Sequence, residues 1–89
     1  MVEILIHEGI NINSIDSESR TPLHISSKFG FNDISILLLG NNAIVNIRDG
    51  YGYSPLFLAL KSHQFDIVPN LILFGGDINF KRGIFKLNI

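Results

Sequence analysis

Two stretches of the chain carry apolar or small residues at the three- to four-residue spacing of a helix face. These residues are Leu23, Ser26 and Ser27 in the first stretch, and Leu56, Ala59 and Leu60 in the second. Thr21-Pro22 precedes the first stretch and Ser54-Pro55 the second. Such pairs suit a helix start, because the hydroxyl accepts a hydrogen bond from a free backbone N–H and proline has no N–H to leave unpaired. The pattern therefore predicts two helices, capped by Thr21 and Ser54.

A second helix is predicted after each of these. The apolar faces of the second helices are Ile34, Leu37 and Leu38 in the earlier one and Ile67 and Leu71 in the later one, with Ile4 and Leu5 in an incomplete copy before them. Gly30 and His63 stand where the first helix of each pair should end, and Gly9, Asn42 and Gly75 where a second helix should end. Glycine and asparagine tolerate the left-handed conformation found at helix C-termini, whereas His63 should adopt it at some strain.

This pattern of helix starts, apolar positions and helix ends repeats at a period of 33 residues without a gap. The pairs related by this shift include Asp16 and Asp49, Pro22 and Pro55, Leu23 and Leu56, Lys28 and Lys61, Asp33 and Asp66, Ile34 and Ile67, and Leu38 and Leu71. Ile12-Asn13, Val45-Asn46 and Ile78-Asn79 follow the stops of the second helices at a constant offset. Three copies of one unit are present, the first of them incomplete.

The unit resembles the ankyrin repeat, which has a 33-residue period and the motif T-P-L-H-x-A. Thr21-Pro22-Leu23-His24 matches the first four motif positions, and the later copy reads Ser54-Pro55-Leu56 with Phe57 in place of the histidine. The resemblance covers roughly residues 2–82. It implies an all-α solenoid of stacked helix pairs with projecting loops. In the family, the motif histidine bonds to the motif threonine and to nearby backbone, so the resemblance implies a buried structural role for His24.

On this interpretation the whole chain is a single array of repeats. It comprises a partial repeat over residues 1–15, full repeats over 16–48 and 49–81, and an irregular tail over 82–89. Phe57 lacks the hydrogen bonds of the motif histidine. Pro69 lies one turn into the second helix of the last repeat, where its ring opposes a backbone carbonyl unless that helix begins late. We therefore expect the C-terminal repeat to be the weakest.

Composition narrows the function classes. With 89 residues, 46% hydrophobic and 17% charged, the chain should form one small globular domain. A net charge of −1 leaves no basic excess, so nucleic acid and anionic membranes are poor partner hypotheses. There is no cysteine to form a disulfide, no apolar run long enough to span a membrane and no basic segment of a secretory signal. The expected location is the cytoplasm or nucleus.

No catalytic or metal-binding pattern is recognisable. His7, His24 and His63 lack the spacing that would place two metal ligands on one helix face. The sequence contains no nucleophile elbow and no glycine-rich phosphate loop, and Gly75-Gly76 closes a predicted helix. We predict a protein that is not an enzyme and needs neither a metal nor a cofactor.

The resemblance implies that an unidentified protein partner binds to the projecting loops and the exposed face of the first helices. The corresponding loop positions are Ser17, Glu18, Arg20, Gly50, Tyr51 and Tyr53, and the helix positions are Lys28, Phe29, Lys61 and Ser62. Tyrosine and arginine are enriched at interface hot spots. Two alternatives stay open: the aromatic residues could pack on the next loop, and the chain could be a structural fragment of a larger array with no ligand of its own.

The two ends raise a separate question, because repeat arrays need polar terminal caps and we expect neither end of this sequence to form one. The tail contains Ile84, Phe85, Leu87 and Ile89. Either these residues fold back onto the last helix pair as a cap, or they form a site of self-association.

The resemblance also implies a modification. Ankyrin repeats are frequent substrates of an asparaginyl hydroxylase that favours an asparagine with leucine eight residues before and an acidic residue two before. Asn79 fits, since Leu71 and Asp77 hold those places, whereas Asn13 and Asn46 have the leucine but not the acid. We expect Asn79 to be the preferred hydroxylation site wherever such an enzyme is present.

Overall fold

The computed structural model describes residues 11–78. Its elements are α1 (Pro22–Phe29), α2 (Asn32–Gly40), α3 (Pro55–Lys61) and α4 (Val68–Leu73). Over these residues all regular secondary structure is helical, which confirms the predicted fold class. None of the described helices combines the length and apolar character that crossing a bilayer requires.

The first helix of each pair begins where a hydroxyl side chain replaces the missing backbone acceptor. The Oγ1 atom of Thr21 accepts a hydrogen bond from the His24 N–H at 3.3 Å, and Nδ1 of His24 accepts one from the Thr21 N–H at 3.0 Å. At α3, Ser54 Oγ accepts from the Phe57 N–H at 3.1 Å. Since proline follows each cap, one fewer N–H needs a partner.

The left-handed backbone conformation recurs at the period of the sequence. Three pairs of residues, each 33 positions apart, have φ between 60° and 98°: Ser19 and Gly52, Gly30 and His63, and Asn42 and Gly75. They close the loop, the first helix and the second helix of each repeat. His63 thus adopts the conformation that Gly30 adopts freely, which costs a residue with a Cβ atom roughly 1 kcal/mol.

The helices form two layers around one core. Helix α1 packs against α2 of its own repeat and against α3 of the next, and α3 packs against α4. The first helices therefore lie side by side in one layer and the second helices in the other. The buried core cluster consists of Leu23, Leu38, Leu39, Leu56, Ala59, Ile67 and Leu71.

The orientation of α2 differs from the sequence-based expectation. Leu38 is buried as expected, but Leu37 is 36% exposed, and Leu39 at 4% exposure completes the inner face instead. The run from Ile34 to Leu39 has Ser35 as its sole polar residue, and Ser35 is itself buried. Without a polar stripe to mark the outer face, helical periodicity alone could not assign Leu37 and Leu39.

Helix α4 is shortened by proline. It begins at Val68 with Pro69 in its second position, where a missing N–H removes no intrahelical hydrogen bond. The position equivalent to Asn32, the start of α2, is Phe65. The second helix of this repeat therefore begins three residues late, and Pro69 is accommodated without a kink.

The interior of the first repeat is partly polar. Ser26 of α1 and Ser35 of α2 are buried, and their Oγ atoms lie 2.7 Å apart in a hydrogen bond. In the second repeat Ala59 and Val68 occupy these two positions. Ser27 is also fully buried, and its Oγ has no hydrogen-bond partner in the described part of the chain.

We predict that Leu38→Ala and Leu71→Ala each lower the free energy of unfolding by about 2 to 5 kcal/mol, because both side chains are buried and their truncation leaves a cavity. Leu73 is 78% exposed in the same layer and provides the matched control. Leu73→Ala should change the stability by less than about 0.5 kcal/mol. Urea unfolding followed by circular dichroism measures all three, and equal effects at Leu71 and Leu73 would contradict the packing.

Candidate interaction surface

Each projecting loop is organised by an aspartate at its start. Oδ1 of Asp16 accepts hydrogen bonds from the N–H groups of Glu18 at 2.9 Å and Arg20 at 3.0 Å. Oδ1 of Asp49 accepts from Tyr51 and Tyr53, both at 2.9 Å. These backbone hydrogen bonds favour the charged carboxylate, and the pKa of Asp16 is lowered by them. The loops therefore have a defined shape before any partner binds.

The two loops are also joined to each other. The Gly50 N–H donates to the Glu18 carbonyl oxygen at 2.8 Å, and Nε of Arg20 donates to Oδ2 of Asp49 at 3.0 Å. A side chain at position 50 would meet that carbonyl oxygen, since an added Cβ would lie 3.1 Å from it. Both ion-pair partners are largely buried, with side-chain exposures of 10% for Arg20 and 0% for Asp49.

The buried pair is held in its charged form. Burial alone would raise the pKa of Asp49, but hydrogen bonds from the Tyr53 N–H and from Arg20 outweigh it, and the pKa is lowered. The hydrogen bond to Asp49 raises the pKa of Arg20. Arg20 therefore fixes the second loop to the first, and little of its guanidinium is left for a partner.

Aromatic rings are stacked on this loop pair. The Tyr51 and Tyr53 rings lie 5.8 Å apart between centroids at an interplanar angle of 20°, and the Tyr53 ring lies 4.5 Å from that of Phe57. The guanidinium carbon of Arg20 is 5.9 Å from the centroid of Tyr51. Tyr51 is 62% exposed, whereas Tyr53 is half-buried between its two neighbours. The outermost ring thus rests on a packed base.

His24 connects the repeats beneath the tyrosines. Its Nδ1 accepts from the Thr21 N–H, so the neutral ring carries its proton on Nε2, which donates to the Tyr53 carbonyl oxygen at 2.8 Å. His24 is fully buried, and burial lowers its pKa. Phe57, at the equivalent position of the next repeat, packs its ring against Tyr53 instead.

The structure divides the ten sequence-predicted positions between two places. Ser17, Glu18, Arg20, Gly50, Tyr51 and Tyr53 lie in the loops, whereas Lys28, Phe29, Lys61 and Ser62 lie where the first helices end. The eight residues of α1 separate the groups by about 12 Å. The ammonium of Lys28 lies 5.3 Å from the Phe29 ring centroid, and Lys28 is half-buried.

Three exposed aromatic residues are not among the positions predicted from the sequence: Phe31, Phe65 and, after α4, Phe74, which is 45% exposed. Phe31 and Phe65 are 51% and 57% exposed in the turns between first and second helices. Turn positions usually hold small or polar residues, so a phenylalanine there was itself a signal of an unusual surface.

Asparagine side chains tie the segments that follow the second helices. Oδ1 of Asn13 accepts from the Ile44 N–H, and Oδ1 of Asn46 accepts from the Asp77 N–H, both at 2.8 Å. Nδ2 of Asn46 also donates to the Gly75 carbonyl oxygen at 3.0 Å. Asn79, the expected hydroxylation site, and the tail residues Ile84, Phe85, Leu87 and Ile89 lie outside the described residues, as does His7.

Comparison with known proteins agrees with this architecture. The family model for ankyrin repeats, in three copies, matches residues 1–82. An ankyrin repeat protein of Rickettsia bellii (strain RML369-C) is 32% identical over 62 residues, covering 68% of this chain and 26% of the relative. One from fowlpox virus (strain NVSL) is 34% identical over 82 residues, covering 89% and 24%.

A serine/threonine-protein kinase 12 of Arabidopsis thaliana is 32% identical over 74 residues, covering 83% of this chain and 16% of the kinase. The chain therefore spans about a quarter or less of the length of these three relatives. Relatives with such different descriptions show that the matched segment alone does not specify the activity of a whole protein.

We predict that stability falls as the pH drops below about 6.5, the ordinary pKa of histidine. Because the pKa of His24 is lowered in the folded state, the unfolded chain binds the proton first, and protonation favours unfolding. The slope should reach at most about 1.4 kcal/mol per pH unit. Urea unfolding between about pH 7.5 and about pH 5, which is above the ordinary pKa values of carboxylates, measures this slope.

The variant His24→Gln should remove this pH dependence, although it also lowers the stability. His63→Asn is the control, since His63 is exposed and asparagine tolerates its positive φ. A pH dependence that persists in His24→Gln would contradict the prediction, because His24 would then not be the group responsible for it.

Proposed function

Because the chain belongs to the ankyrin repeat family, whose repeats generally serve as protein–protein interaction modules, we propose that it binds a protein partner through its projecting loops. The adjoining face of α1 and α3 extends this surface. The observation that carries the proposal is the exposed Tyr51 ring, supported from below by Tyr53 and Phe57 and from the side by Arg20.

Rigidity supports this choice. Association costs conformational entropy for every group that becomes ordered, so a ring that is already positioned binds at lower cost. The Tyr51 N–H is bonded to Asp49, and the loop that carries it is bonded to Glu18 of the first loop. Tyr51 can therefore offer its exposed face without reordering the loop.

The surroundings of the ring suggest what it would bind. The side chain of Glu18 is 51% exposed, and its Oε1 lies 3.9 Å from a guanidinium nitrogen of Arg20, which is a weak ion pair at the surface. A partner segment with an apolar or aromatic side chain for Tyr51 and a basic side chain for Glu18 matches this arrangement. Arg20 and Asp49 maintain the loop geometry in this proposal and make little direct contact.

A second candidate is that the segment serves as a structural part of a larger array. Leu39 of the first repeat is only 4% exposed, with the second repeat next to it. Ile72, at the equivalent position of the second repeat, is 44% exposed. A further repeat would bury Ile72 in the same way. Aggregation or partial folding of the chain in solution favours this candidate, and cooperative folding favours the interaction module.

We predict that Tyr51→Ala weakens partner binding roughly tenfold or more but changes stability by less than about 0.5 kcal/mol. Tyr53→Ala should reduce both, because the Tyr53 ring fills the space between Tyr51 and Phe57. To obtain the partner, a photo-crosslinking phenylalanine analogue at position 51 captures it in cell extract. Titration calorimetry then compares the variants with the captured protein.

The control places the crosslinker at Ile36, which is 46% exposed in the layer of second helices. Position 51 should capture a protein that unlabelled wild-type chain competes away, and position 36 should not. If the same protein is captured equally from both positions, or if Tyr51→Ala binds it as tightly as the wild type, the loop surface is not the binding site.

A further inference from the structure

A second surface lies at the opposite end of the first helices from the loops. It is formed by the turns between first and second helices and carries four aromatic rings, Phe29, Phe31, His63 and Phe65, which we call the aromatic edge. Its three phenylalanines are 55%, 51% and 57% exposed, respectively. Contiguous exposed apolar groups on a small soluble domain usually mark an interaction site.

The aromatic edge is continuous across the two repeats. The rings of Phe29 and Phe31 are stacked with centroids 6.1 Å apart, and those of His63 and Phe65 meet edge to face at 5.7 Å. Between these pairs, the side chain of Gln64 lies against Gly30, where an added Cβ would collide with the carboxamide. The two turns therefore touch, and the rings belong to one surface.

Charges flank the aromatic edge in a regular order. Lys28 and Lys61 lie in the last turns of the first helices. Asp33 lies in the first turn of α2, and Asp66 lies in the turn that leads into α4, so both aspartates are on the side of the second helices. Within residues 11–78, none of these four groups is in an ion pair. The edge is thus positive along one side and negative along the other.

We propose that the aromatic edge binds a second copy of this chain in a two-fold symmetric dimer. The two-fold axis would run in the direction in which the repeats are stacked. Such a rotation brings the first-helix side of one copy opposite the second-helix side of the other. Lys28 then faces Asp33 of the second copy, Lys61 faces Asp66 of the second copy, and the rings meet between them.

A pocket at the first turn fits this arrangement. It is lined by Gly30, Phe31, Asn32, Asp33 and Ile34. Its lining combines an aromatic ring and an aliphatic side chain with a carboxylate, which suits a lysine whose stem packs on apolar groups while its ammonium meets a charge. Lys28 already lies 5.3 Å from the Phe29 ring centroid of its own copy, so lysine and phenylalanine do pair on this edge.

Self-complementary charge is the reason to choose a second copy over an unrelated protein. All four charges find an opposite charge in this rotation, and the net charge of −1 opposes association only weakly. Four rings and four charged side chains bury less than the roughly 800 Å² per partner of a stable interface. We therefore expect a weak, reversible dimer, with a dissociation constant on the order of 10 to 1,000 µM.

Sedimentation velocity over a concentration series of the full chain tests the proposal. Asp33→Lys combined with Asp66→Lys makes both sides of the edge positive, and Lys28→Asp combined with Lys61→Asp makes both negative. Each double variant alone should dimerise at least about tenfold more weakly than the wild type. An equimolar mixture of the two should regain the association, because opposite charges again face each other.

Phe65→Ser tests the rings and should also weaken the dimer, whereas Tyr51→Ser, on the loop surface, should leave it unchanged. Circular dichroism verifies that each variant is folded. A wild-type chain that stays monomeric at about 1 mM, the upper end of the expected range, overturns the proposal. A dimer unaffected by charge reversal also overturns it, since another surface would then mediate the contact. The same holds if the mixture associates no more strongly than either variant alone.

Discussion

The hydrogen bond from Nε2 of His24 to the Tyr53 carbonyl oxygen joins the two repeats where the second repeat's first helix is about to begin. One helix pair cannot bury its apolar face alone, so each repeat depends on its neighbour. Arg20 with Asp49 and Gly50 with Glu18 add further links on the same side. The apolar contacts supply attraction, and these directional links define how the second repeat is oriented on the first.

The loop surface follows from that attachment. The carbonyl oxygen of Tyr53 accepts the hydrogen bond from His24, and its ring packs against Phe57. Tyr53 therefore supports the Tyr51 ring, and little of its own side chain remains for contact with a partner. The substitution of phenylalanine for the motif histidine therefore has a local consequence. It removes a hydrogen-bonding ring from the second repeat but supplies the apolar base on which the tyrosine stack rests.

Periodicity and cap chemistry were sufficient to predict the helix pairs, because Thr21-Pro22, Ser54-Pro55 and the left-handed stops are local signals. The inner face of α2 was not predictable, since a nearly unbroken apolar run leaves Leu37 and Leu39 equivalent until their neighbours are known. Site prediction located exposed loop residues but could not separate Tyr51 from Tyr53, or recognise that Arg20 is engaged by Asp49. Those distinctions arise from contacts between repeats, about 30 residues apart.

The loop surface and the aromatic edge lie at opposite ends of the first helices. At their N-terminal end, hydrogen bonds to Asp49 and Glu18 order the loops that carry Tyr51. At their C-terminal end, Gly30 and His63 close the helices and leave phenylalanines in the turns. Because the loop residues and the aromatic edge have no side chain in common, a partner that contacts the loops alone leaves the edge open to a second copy. Linkage between them would then require a change in helix packing rather than competition for residues.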